Sequence, residues 1–90
     1  MTQEVDRYLR IERRTKDGWH TIPLGERVRV WAVSKAQVDD GSPMLFFHVG
    51  YMDGLSKGLR VGYLGQKFSL LEISDSKRLV GLELMCTPAA

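Results

Sequence analysis

The chain reads as all-β, or mainly β with at most one short helix: about seven short antiparallel strands in a small sandwich or barrel. Three observations predict this. Apolar and polar side chains alternate with a period of two in several runs, turn-forming residues recur every eight to twelve positions or so, and the C-terminal third folds back on itself as two apolar runs around a polar break. At 90 residues the chain is one domain, residues 1–90, with 1–6 and 87–90 expected to fray.

The first run, Tyr8 to Arg14, alternates Leu9 and Ile11 with Tyr8, Arg10 and Glu12. Asp17-Gly18 follows as a tight-turn signal, and Trp19 to Leu24 is the return strand, placed at an edge or ended early because Pro23 lacks an amide hydrogen. Gly25-Glu26 turns the chain again. The next strand, Arg27 to Val33, is rich in β-branched residues; Val28, Val30 and Ala32 should face the core, and Arg27, Arg29 and Trp31 the other side. Ser34 to Val38 has room for a short helical turn before the loop Asp39 to Pro43.

Met44 to Tyr51 is apolar on both faces, as a covered central strand would be. A glycine-rich link, Asp53-Gly54 and Lys57-Gly58, leads to a strand over Leu59 to Leu64. Last come Phe68 to Ser74 and Arg78 to Leu84, joined by the polar break at Asp75 to Lys77. The segment Phe68 to Leu84, closing on Arg78-Leu79-Val80-Gly81-Leu82-Glu83-Leu84, resembles the closing hairpin of a small uncharacterised prokaryotic family. Members of that family end in a "gRlvGiEil" pattern after a strand of alternating acids. The likeness covers about a fifth of the chain, with looser agreement around Met44 to Val49. Leu71 and Ser74 stand where that family carries strand aspartates, and the N-terminal third has no counterpart there. The resemblance implies a β fold.

Composition narrows function by exclusion. Hydrophobic residues make up 43% and charged residues 27%, which suits a globular domain rather than a disordered tail. The longest stretch without charge, Gly41 to Met52, is far short of the roughly 20 apolar residues that cross a bilayer. The N-terminus has no secretory pattern and the lone Cys86 has no disulfide partner, so a cytoplasmic setting is expected.

No catalytic or cofactor motif emerges. His20 and His48 lack neighbouring ligands at metal spacing, so no metal and no cofactor is expected. His48 is expected to be a buried imidazole, or one facing a pocket in an enzyme or small-ligand reading. Cys86 has no local base to activate it. Glu72 and Glu83, on opposite arms of the last hairpin, suggest paired acids, against which two solvated strand carboxylates are the commoner arrangement. The glycines Gly50, Gly54, Gly58, Gly62 and Gly65 fit neither a dinucleotide fingerprint nor a phosphate loop.

What remains is surface chemistry. Net charge is only +2, yet Arg7, Arg10, Arg13, Arg14 and Lys16 crowd around a single acid, Glu12. Tyr8, Arg10 and Arg14 share a strand face that Arg27, Arg29 and Trp31 extend if the strands are neighbours. Arg13 and Arg14 would steer a partner electrostatically. A second surface is an apolar excess, Met44, Phe46, Tyr51, Met52 and Leu55 with Leu70, Leu79 and Val80, which either fills the core or is covered by a partner or a second copy. These features predict a non-enzymatic interaction module, a small regulator or inhibitor of the kind phages and plasmids encode, binding another protein and open to homodimer formation. The alternative is a small barrel that holds single-stranded RNA or DNA on the basic and aromatic face. The competing reading of that face is a solvated surface whose arginine stems cover the rings.

Overall fold

The computed structural model describes residues 7–37, 43–76 and 80–89, and none of these is helical. Seven strands follow in order: β1 Tyr8–Thr15, β2 Gly18–Thr21, β3 Val28–Gln37, β4 Pro43–Val49, β5 Arg60–Tyr63, β6 Gln66–Asp75 and β7 Leu82–Pro88. All pair antiparallel. Six of them close into a barrel in the order β1-β3-β4-β7-β6-β5, with β5 returning to β1.

Strand β2 shares one edge of β1 with β3. Glu12 has Thr21 on that edge and Arg60 of β5 on the other. Glu12 faces Thr21 while Leu9 faces Val28, so three steps along β1 match seven along its partner. The four extra residues form an excursion at the barrel rim, tied down where the Ile22 amide donates to the Ile11 carbonyl and the Ile11 amide to the Gly25 carbonyl.

Alternation explains the interior. Leu9 and Ile11, Val28 and Val30, Phe47 and Val49, Val61 and Tyr63, Phe68 and Leu70, and Leu84 and Cys86 contribute one inward pair per strand, all buried. Phe47 meets Tyr63 and Phe68 edge to face, with centroids 4.9 and 5.8 Å apart. Each fully buried side chain of this size stabilises the fold by about 1.5–3 kcal/mol.

Several expectations are corrected. Ser34 to Gln37 continue β3 and pair with Phe46 to Pro43, so they hold no helical turn; Val38 to Ser42 lie outside the described residues. Ala32 is exposed, because a bulge leaves Trp31 as an extra residue between the Val30–Val49 and Ala32–His48 pairs and hands the inward position to Val33. The return strand from Trp19 ends at Thr21, before Pro23, which is the early end that the missing proline amide allowed. The last strand starts at Leu82, so Val80 and Gly81 are not part of it, while Arg78 and Leu79 lie outside the described residues. It also runs further than expected: Thr87 and Pro88, expected to fray, pair with Ser69 and Phe68. Residues 1–6 and Ala90 lie outside the described residues.

The Asp17-Gly18 turn also differs in kind. Thr15 pairs with Gly18, so the loop residues are Lys16 and Asp17, and the positive φ (+116°) falls only on Gly18. That is a turn followed by a glycine bulge. The mirror-image turn, with positive φ at both central residues, sits instead at Leu64-Gly65 between β5 and β6.

Candidate docking groove and cationic face

The barrel's outer surface carries the charged residues in rows across neighbouring strands. Tyr8 of β1 faces Arg29 of β3, Arg10 faces Gly62 of β5, Glu12 faces Arg60, and Arg14 faces Trp19 of β2. Strands β1 and β3 are therefore neighbours, and Tyr8, Arg10, Arg14 and Arg29 share one face. Arg13 does not join them. It pairs with His20 and has the opposite parity to Arg14, so it lies on the other side of the β1–β2 ribbon.

The rings on this face are already capped. The Arg27 guanidinium carbon lies 4.0 Å from the centre of the Tyr8 ring, and those of Arg60 and Arg14 lie 4.4 and 5.9 Å from that of Trp19. Arg60 also donates through Nε to Glu12 Oε1 at 2.9 Å, and Lys67 Nζ donates to the same oxygen at 3.3 Å. Burial alone would raise the Glu12 carboxyl, but hydrogen bonds and charge from Arg60 and Lys67 hold it below the ordinary carboxylate value. This small network straddles the seam where β5 closes onto β1.

Trp31 belongs elsewhere. The bulge turns it over Gly50, where it lines a shallow groove of about 250 Å³ with Leu24, Arg29, Tyr51 and Met52. Leu24, Trp31 and Tyr51 are exposed by 84%, 53% and 63%. Leu24 also has a φ of +63°, a region that costs an L-residue with a bulky side chain about 1–2 kcal/mol. Arg29 borders both the groove and the cationic face.

The apolar excess divides. Leu70 is core, Met52 and Leu55 pack against it, and Tyr51 and Val80 are exposed. Sequence reasoning passed over Trp19, Leu24, Arg60 and Lys67. Leu24 and Leu64 each precede a glycine at a strand end, and that Leu-Gly pairing is the signal that could have marked them.

His48 is buried on the outer side of β4, covered by its neighbours. Its Nδ1 lies 3.1 Å from Ser76 Oγ and its Nε2 3.6 Å from Glu83 Oε2. His48 does not line the groove at Trp31, and Glu72 faces Met85 rather than Glu83, so the two carboxylates do not pair. No known protein family, curated protein or solved structure matches the chain.

Proposed function

We propose that the protein is a non-enzymatic interaction module, a small regulator or inhibitor that docks another protein through the groove at Leu24, Trp31 and Tyr51. One observation carries this reading: a leucine in the left-handed region, 84% exposed, lies beside an exposed tryptophan and tyrosine. Stability favours neither the backbone conformation nor the exposure, and such outliers gather where a surface is kept for binding. Trp, Tyr and Arg are also the residues that dominate interface hot spots. Arg29 at the rim, with Arg27 and Arg10 beyond it, fits a partner that presents an apolar side chain among carboxylates. A cytoplasmic setting agrees with Cys86 as a buried thiol.

Base stacking is the less favoured use of this surface. Tyr8 and Trp19, the rings on the cationic face, are covered by arginines, while the open rings, Trp31 and Tyr51, line a groove with Leu24, Val28 and Met52 that Arg29 borders.

The test is affinity capture from the source cell with the wild-type chain beside Leu24→Asn and Trp31→Ala. A protein retained by the wild type and lost by at least about tenfold in both folded variants supports docking. Equal retention by all three contradicts it. Nuclease-sensitive material whose capture falls steeply with salt would assign the face to nucleic acid instead. A homodimer that Trp31→Ala dissociates would put a second copy in the groove.

A further inference from the structure

A second recess lies across β5, separate from the Trp31 groove. It has a volume of about 270 Å³ and is lined by Tyr8, Arg10, Gly62, Leu64, Gln66 and Lys67. Its floor is Gly62, which stands between Arg10 on β1 and Lys67 on β6 as their common cross-strand neighbour. Gly62 is not among the positive-φ glycines, so no turn or left-handed backbone calls for it there. Glycine inside a strand is unfavourable unless something must come close. Here a Cβ would meet Lys67 Nζ at 3.2 Å and Arg10 Cβ at 3.8 Å. The missing side chain lets the Lys67 ammonium lie over the strand at Gly62, beside Arg10 and 3.3 Å from Glu12 Oε1.

Arg10 and Lys67 begin about 10 Å apart across two strand spacings, a distance that two long side chains can close onto one small group. Arg10 is exposed, and Lys67 has Glu12 on its inner side while part of it remains open to solvent. On the rim, Leu64 is 71% exposed with a φ of +48°, a second leucine held in an unfavourable conformation. It adds an apolar wall to a cationic floor. We infer that this notch binds a phosphate monoester, with Arg10 and Lys67 taking the phosphoryl oxygens over Gly62 and Leu64 contacting the group that carries them. Charge-assisted hydrogen bonds of this kind are the strong ones, and the arginine fork suits phosphate. One carboxylate, Glu26, also enters the lining and opposes an anion. The notch does not depend on the docking groove, so the two proposals fail separately.

The test is titration of the isotope-labelled full chain, followed by amide resonances at low ionic strength, with inorganic phosphate, phenyl phosphate and adenosine 5′-monophosphate. Saturable shifts at Arg10, Gly62 and Lys67 are expected, and the tightest of the three probes identifies the carrier. Gly62→Ala should weaken binding about tenfold with the charge unchanged, because it fills the floor. Arg10→Gln should do the same, whereas Arg13→Gln, an equal loss of charge on the other side of the ribbon, should stay within about twofold. Glu26→Gln should strengthen it. Shifts that never saturate, or equal weakening by Arg10→Gln and Arg13→Gln, would overturn the proposal, and the arginine pair decides even if Gly62→Ala does not fold. So would tighter binding of an oligonucleotide without a terminal phosphate that ignores Gly62→Ala.

Discussion

Tyr63 carries a buried hydroxyl with no hydrogen-bond partner among the described residues, although its ring packs well against Phe47. A hydroxyl taken from water without replacement costs about 1–3 kcal/mol, so Tyr63→Phe should raise the free energy of unfolding, by about 1 kcal/mol. Chemical denaturation checks this, and a loss of stability would mean that the hydroxyl has a partner. Gly81 shows the opposite constraint: a Cβ there would sit within 3.2 Å of three backbone atoms of Val49 and Gly50, so the closing hairpin needs glycine for space. Cys86, fully buried on β7, has its thiol pushed up to about 12 by burial. A thiol reagent at neutral pH should therefore react only on unfolding, with labelling that rises and falls with denaturant as the fold does. Rapid labelling of the native chain would show that the wall formed by β4, β6 and β7 opens locally.

At the scale of elements, the seam between β1 and β5 is short, with three residue pairs, and Glu12 reinforces it by binding Arg60 across the seam and Lys67 beyond it. Because the folded Glu12 carboxyl lies below its ordinary value of 4.5, its contribution is complete above the unfolded value and fades as pH falls through the folded one. Glu12→Gln should cost about 1–3 kcal/mol at neutral pH and flatten the loss of stability in acid, as measured by denaturation at pH 7 and below 4. An unchanged acid slope would mean that Glu12 is not linked to folding. This network was only partly legible in the sequence. Alternation in β1 placed Leu9 and Ile11 inward and Arg10 outward, but nothing in a period-two pattern shows that Lys67 reaches over Gly62 to a strand 55 residues away. The bulge at Trp31 was hidden for a related reason. One unpaired residue reverses the parity of all that follows, so Ala32 reads as core while Val33 takes its place.

For the whole molecule, closure is the governing fact. A barrel abolishes the sheet edges that an open seven-stranded sheet would expose, leaving β2, four residues long, on the outside. The strand pattern allowed either a sandwich or a barrel, since both present one inward residue in two; the pairing of β5 with β1, a contact between distant segments, decides between them. Closure also leaves a rim where apolar side chains stay outside the core. Leu24 and Leu64 both lie there with positive φ and most of their surface in water. Neither was visible as such, because leucine is not a turn residue and both read as strand ends. We propose that these leucines are kept for contact and not for the fold. The unfolding free energy of Leu24→Asn in urea tests it most directly, since asparagine accepts the left-handed region and leucine does not. An increase of about 0.5–1 kcal/mol is expected, and a clear decrease would show that Leu24 supports the barrel and is not kept for contact.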